Sequence, residues 1–141
     1  MRTLRLASFV VAAAGLGVAG YLTAVHYGGG SPVCAIAHGC ATVQQSEYAS
    51  LAGVPVALLG VVGYAAILAG LAIDNEAART GTALLALAGA GFSIWLTYVE
   101  VFTLEAICIW CVASAICMVV LAALSAVRLV AEEPEARTVA R

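Results

Sequence analysis

Val54-Pro55-Val56-Ala57-Leu58-Leu59-Gly60-Val61-Val62-Gly63-Tyr64-Ala65-Ala66-Ile67-Leu68-Ala69-Gly70-Leu71-Ala72-Ile73 contains no Asp, Glu, Lys, Arg or His. Its length is close to the roughly 20 residues that carry a helix across hydrocarbon, so it reads as a membrane span. Three further apolar runs flank it, from Leu6 to Val25, Thr82 to Phe102 and Ala106 to Val130. The whole chain agrees: of 141 residues, 64% are hydrophobic and 10% charged, against about half and about a quarter in globular domains. A water-soluble fold cannot hide that much apolar surface. The net charge of −2 and the scattered arginines give no footprint for nucleic acid.

The spans leave a long loop from Val25 to Gly53 and short connectors at Asp74 to Thr80 and Thr103 to Glu105. Short connectors suit antiparallel neighbours. The expected fold class is therefore an all-α membrane protein, a four-transmembrane-helix up-down bundle with a long extracytoplasmic loop between the first two helices. Residues 1–130 form the bundle, with its outer loop at 26–53, and 131–141 a short charged tail. All basic residues are arginines, Arg2, Arg5, Arg79, Arg128, Arg137 and Arg141. On this threading they share one side, which predicts a cytoplasmic face carrying both termini. The segments that carry cysteine pairs then face outward.

Two other readings compete locally. Arg2 and Arg5 ahead of an apolar stretch resemble a cleaved signal peptide, but the apolar run exceeds the usual core of about 7 to 15 residues, which favours a retained helix. Gly15-Leu16-Gly17-Val18-Ala19-Gly20 formally matches the dinucleotide-binding G-x-G-x-x-G. It neither follows a strand nor opens a βαβ unit. Small residues inside an apolar helix read instead as close-packing positions between spans.

Five cysteines punctuate the chain. Cys34 and Cys40 lie in the outer loop, and Cys108-Ile109-Trp110-Cys111 forms a C-x-x-C at the outer start of the fourth span. Both pairs face the oxidising compartment. At i and i+3 the second pair shares a helix face, and the helix dipole favours thiolate at Cys108 in the first turn. A purely structural disulfide there closes a very small loop and gains little stability. Spacing alone leaves a metal site open as well, with His26 and His38 near the loop cysteines as further ligands. Cys117 points about 180° away from Cys108 and about 13 Å deeper, as expected of a buried, inert thiol.

Cys34 and Cys40 in the first outer loop, Ser46 after them, Gly53-Val54-Pro55-Val56 opening the second span, Gly60 with Tyr64, and Cys108-Ile109-Trp110-Cys111 atop the fourth stand in a joint order. That order resembles the bacterial homologues of vitamin K epoxide reductase over nearly the whole length. The resemblance lifts redox catalysis above the metal reading. It implies a membrane thiol oxidase that reoxidises an extracytoplasmic thioredoxin-like (DsbA-like) partner and passes electrons through two cysteine pairs to a membrane quinone, ubiquinone or menaquinone. By position, Cys34 meets the partner, Cys40 exchanges with Cys108, and Cys111 stands nearest the quinone. Such a relay is ordinary thiolate attack on a neighbouring disulfide.

The same matching places the quinone among Val43, Tyr48, Val56, Leu59, Leu96, Cys111 and Ala115, with Ser46 as a supporting hydroxyl. Mammalian members carry a tyrosine at the position of Ala115 and an asparagine at that of Val56. Both departures remove polar contacts, which puts vitamin K epoxide as substrate and sensitivity to warfarin-type drugs in doubt. Residues after Val130 are too few for a fused thioredoxin-like domain, so the partner is expected to be a separate protein. Glu100, near the outer end of the third span, is either a functional group or one reaching headgroup water. The aromatics Phe92, Trp95, Tyr98 and Trp110 gather toward the same end, as a quinone wall or as an interfacial belt. Two rivals remain: a quinone epoxide reductase using the same cysteines, and a small membrane metal transporter or sensor with thiolate ligands.

Overall fold

The computed structural model describes residues 2–36 and 39–140, with the side chains of 132–136 left aside. Four long helices dominate it: α1 (Arg2–Tyr27), α3 (Val56–Ile73), α4 (Glu76–Phe102) and α5 (Ile109–Val139). Each contains a stretch long and apolar enough to cross a membrane, in α5 the part Ile109–Ala131. Between α1 and α3 lie a one-turn helix, α2 (Cys40–Gln44), a 3-10 turn (Glu47–Ala49) and a miniature hairpin, β1 (Ser50–Leu51) with β2 (Val54–Pro55). Helix α1 packs on α3 and α5, and α4 packs on α5 and α3, which closes a ring of four.

The element ends follow local chemistry. In the hairpin Leu51 pairs with Val54, so Ala52 and Gly53 form its two-residue loop. Both have positive φ, 52° and 83°. A two-residue loop of that hand matches the strand twist and favours glycine, which accounts for Gly53. Pro55 then starts α3 with its fixed φ of −58°. At the other end of α3, Asp74 takes the left-handed conformation that Asp tolerates, φ 51°. Asn75 next caps α4, its side chain accepting from the Ala78 N–H at 2.7 Å. Helix α4 accordingly starts at Glu76, several residues before the apolar run at Thr82. Helix α5 likewise begins later than the run at Ala106 and continues as helix through residues first read as a tail.

Tyr64, Ile67 and Leu71 of α3 are fully buried, together with Ala12 of α1, Ala86 of α4 and Leu121 of α5. Alanines at the contacts let the helices approach closely, where packing rather than water expulsion holds spans together. Gly15 of α1 lies against the Tyr64 ring, and a methyl added there would overlap it. That fit leaves the Tyr64 hydroxyl 2.7 Å from the Ser114 carbonyl, to which it donates. The outer faces carry exposed Val10, Val62, Leu84, Ile94, Ile116 and Val127, a surface suited to hydrocarbon.

One end of the bundle is tied by charge. Asp74, at the close of α3, receives Arg5 from α1 at 3.3 Å, Arg79 from α4 at 2.9 Å and Arg128 from α5 at 2.8 Å. Arg5 also donates through Nε to the Leu71 carbonyl at 3.0 Å, one of the carbonyls a helix end leaves open. The Arg79 hydrogen bond, first, and the charges of all three arginines hold the Asp74 carboxyl below its ordinary 3.8. Arg141 lies outside the described residues.

Candidate redox site at the opposite end

The other end is built on the connector between α4 and α5. After Thr103 caps α4, the chain doubles back: Glu105 has φ 48°, and the Ala106 N–H donates to the Glu100 carbonyl at 3.0 Å. This brings Cys108 directly over the last turn of α4. Its backbone N–H donates to Glu100 Oε2 at 3.0 Å, and its carbonyl accepts the first bond of α5, from Val112 N–H, at 3.0 Å. Cys108 is thus the N-cap of α5, one residue ahead of its expected place in the first turn, and Cys111 follows at the third helical position.

That placement acts on the thiols. The Cys108 thiol is lowered below its ordinary 9.0, first by the hydrogen bond from the Cys111 thiol and further by the Cys111 backbone N–H, against the opposing effect of burial. Sulfur here takes the part that a hydroxyl or carboxylate plays at an N-cap. Gln44 of α2 donates through Nε2 to Cys111 Sγ at 3.4 Å. A thiolate at a helix start, with a thiol neighbour able to close on it, is a dithiol prepared for exchange.

Cys34 and Cys40 form a disulfide, their Cα atoms 6.3 Å apart, and Cys108, Cys111 and Cys117 are free. Cys40 and Cys108 are buried in one cluster with Val43, and Cys34, Trp110 and Cys111 pack against it. The two pairs therefore meet. A glycine is needed for this approach, because a Cβ at Gly39 would collide with the backbone of Ala106 and Ile107. The loop is also pinned ahead of Cys34: Val33 N–H donates to the Tyr21 hydroxyl at 3.0 Å, and Trp110 Nε1 donates to the Val33 carbonyl at 2.8 Å. Tyr21 and Trp110 rest on one another, ring centroids 4.9 Å apart.

Beside this cluster opens a cavity of about 340 Å³, within the range of small-molecule sites. Its walls include Val43 and Tyr48 from the loop, Val56 and Leu59 from α3, and Leu96 from α4. Cys111 lines it, whereas Cys34, Cys40 and Cys108 do not. Six of the seven residues expected to form a pocket thus surround one space. Ala115 is not among the lining residues, and Ser114 lines the cavity from that part of α5. Ala115, one turn below Cys111, lies on a neighbouring strip of the helix.

Ser46 does not line the cavity; its hydroxyl donates to the Val43 carbonyl at 2.7 Å and caps nothing through its side chain. It ties off the end of α2. Gln44, Ser114 and the buried face of Glu100 were not foreseen as a set, since a lone Gln or Ser in a loop or span carries no periodic signal. Glu100 is 4% exposed and lines the cavity, which decides against its reaching headgroup water. Tyr48 and Phe92 line the cavity, and Trp95 packs on both, edge-on to Tyr48 with centroids 6.1 Å apart. Tyr98 pairs with Phe102 and is exposed. Cys117 is half-buried and packs against the bundle core, away from the other four cysteines.

Among the described residues, no three His, Cys, Asp or Glu side chains gather as a metal-ligand group. His26 closes α1 and meets Tyr27 edge-on, and His38 lies outside the described residues.

No curated protein matches the chain. The sequence profile of the vitamin K epoxide reductase family matches residues 6–126, a stretch that holds Cys34, Cys40, Cys108, Cys111 and every cavity residue named above. Four apolar helices, a disulfide packed against a helix-capping dithiol and a match over most of the length lead to one assignment: the chain belongs to the vitamin K epoxide reductase family.

Proposed function

We propose that the protein is a membrane thiol oxidase that reoxidises an extracytoplasmic thioredoxin-like (DsbA-like) partner and delivers the electrons to a membrane quinone. Members of the family are redox enzymes that couple thiols to quinones. The finer reading rests on one observation: Cys111 lines the apolar cavity while Cys108, its partner in the C-x-x-C, packs against Cys40. That order suits a relay with an outer and an inner pair.

The cavity residues fit a quinone ring. Leu, Val and aromatic side chains supply flat apolar walls, and Cys111, Gln44 and Glu100 supply a polar edge at one end. Bound there, a quinone would provide a sink for two electrons and two protons. The chain's own residues do the rest. A partner thiolate attacks Cys34, and Cys40 leaves as a thiolate. The partner's second thiolate attacks its own sulfur in that mixed disulfide, which completes the partner disulfide and frees Cys34. Cys40 then attacks Cys108 of an oxidised Cys108–Cys111 pair, Cys111 leaves as a thiolate, and Cys34 attacks Cys40 to re-form the loop disulfide and release Cys108. The state described above, with Cys34–Cys40 joined and Cys108 and Cys111 free, is the one that follows this exchange.

We read the bundle as up-down in topology, with residues 1–130 as the working domain. Support comes from the two ends: Arg5, Asp74, Arg79 and Arg128 meet at one, and the cysteines, Tyr21 and Glu100 at the other. Arginines favour the cytoplasmic side. The cysteine end then faces the periplasm or cell exterior, where the partner works.

The test is purified protein in lipid discs with a reduced thioredoxin-like protein and either ubiquinone or menaquinone. Partner disulfides should form in proportion to quinone consumed. Partner oxidation that proceeds equally well without quinone overturns the reading.

A further inference from the structure

A carboxylate stands beside the dithiol. Glu100 sits in the last turn of α4, 4% exposed, at the junction of Cys108, Cys111 and the cavity. One oxygen, Oε2, accepts the Cys108 backbone N–H at 3.0 Å. The carboxyl also engages the Cys111 thiol. The titratable groups acting on it are these two cysteines of the α4–α5 junction; the neutral Gln44 of α2, which donates to Cys111, lines the same cavity, as do the hydroxyl-bearing Tyr48 and Tyr64. The cations Arg5, Arg79 and Arg128 are engaged by Asp74 at the far end of the bundle. An ionisable group at that depth is expensive to keep, and a backbone amide is satisfied as well by a glutamine.

We infer that Glu100 is the proton acceptor for Cys111 when the Cys108–Cys111 disulfide forms. This rests on the oxidase reading and deepens it. In the reduced pair Cys108 is the thiolate and Cys111 the thiol. Oxidation breaks the Cys111 S–H bond and forms the Sγ–Sγ bond; the electron pair leaves to an oxidant of the quinone class, and the proton goes to the Glu100 carboxylate. Charge balances, since thiolate plus carboxylate on one side become a neutral disulfide and a neutral acid plus two departing electrons. Because the same carboxyl borders the cavity, the proton is set down where a quinone would need it. Glu100 thereby couples electron and proton delivery.

The experiment needs no quinone. The reduced full-length protein is oxidised by diamide, a small two-electron thiol oxidant, across neutral pH, and the Cys108–Cys111 link is followed by alkylation and mass spectrometry. Loss of a general base typically costs about 10²-fold or more. Glu100→Gln, which keeps an acceptor for the Cys108 N–H, should slow the step by about that factor and make it climb with pH, while Glu100→Asp recovers part of the rate. Infrared difference spectra of the wild type should gain a protonated carboxyl band on oxidation, a readout that stands even where Glu100→Gln fails to fold. A wild-type rate and pH profile in Glu100→Gln, or no new carboxyl band, overturns the proposal. Quinone-independent partner oxidation, by contrast, sinks the oxidase reading and is measured separately.

Discussion

The Trp110 indole donates to the Val33 carbonyl at 2.8 Å, so a residue between the two cysteines of the C-x-x-C holds the backbone immediately before Cys34. The two pairs are thereby connected by a hydrogen bond as well as by packing. Tyr21 completes the clamp from α1 by accepting the Val33 N–H at 3.0 Å. With both backbone polar groups of Val33 engaged, the Cys34 segment is positioned against α1 and α5 together.

Trp110→Phe keeps an aromatic ring on Tyr21 and removes the donor. A single hydrogen bond of this kind contributes about 1 kcal/mol, which corresponds to roughly a fivefold change in an equilibrium. The loop around Cys34 should therefore become several-fold more accessible to proteases, and thiol exchange with a partner should slow. Tyr21→Phe should act in the same direction through the other half of the clamp. Unchanged proteolysis in both variants would show that the loop is held by packing alone.

Cys111→Ala should abolish quinone-dependent oxidation and leave Cys108 able to trap a mixed disulfide with Cys40, visible as a Cys40–Cys108 crosslink by mass spectrometry. Cys117→Ala, removing a half-buried thiol set against the core, should retain activity. A Cys111 variant with full turnover would remove the cysteine that lines the cavity from the electron route.

Gly15 and Gly17 are separated by one residue of α1 and should respond oppositely. A Cβ at Gly15 overlaps the Tyr64 ring, and one at Gly17 meets nothing within 4 Å. Overpacking of a well-filled contact costs about 1–3 kcal/mol, whereas Gly to Ala in an open helix position stabilises by up to about 1 kcal/mol. Thermal unfolding in detergent should show Gly15→Ala lowering the midpoint and Gly17→Ala holding or raising it.

Acid should attack the end held by Asp74. Its carboxyl is lowered in the folded state, so the stability it contributes is complete above the unfolded value near 3.8 and is lost as pH falls through the lower, folded one. Asp74→Asn keeps a residue that tolerates the left-handed conformation and removes the partner of three arginines, Arg128 among them at 7% side-chain exposure. Unpairing a charge that is largely buried costs about 3 kcal/mol, so the variant should unfold at lower temperature at neutral pH. As pH falls below the unfolded value near 3.8, the difference from wild type should shrink. A gap that stays constant across that range would mean that Asp74 acts through shape rather than charge.

Much of this was legible in the linear chain. An uncharged stretch such as Val54 to Ile73 has one stable home, and lipid forces it to satisfy its backbone as helix. The paired cysteines were visible for a related reason, since their spacing repeats chemistry rather than packing. Less visible were Gln44 and Ser114, ordinary polar residues whose place at the cavity follows from how α2 and α5 converge. That Ser114 rather than Ala115 lines the cavity has the same origin, since the rotation of α5 is invisible to matching by position. Glu100 was noticed as an ionisable group near a span, yet its burial depended on the backward turn at Glu105.

The sequence by itself determined the four spans, the family and the presence of two cysteine pairs, because hydrophobic length and cysteine spacing are properties of the linear chain. Only the tertiary structure decided that Cys40 meets Cys108, that Cys111 alone of the four reaches the cavity, and that Glu100 joins them. Those relations depend on helix rotation and on sharp turns at Gly39 and Glu105, where a few tens of degrees move a side chain from one neighbour to another.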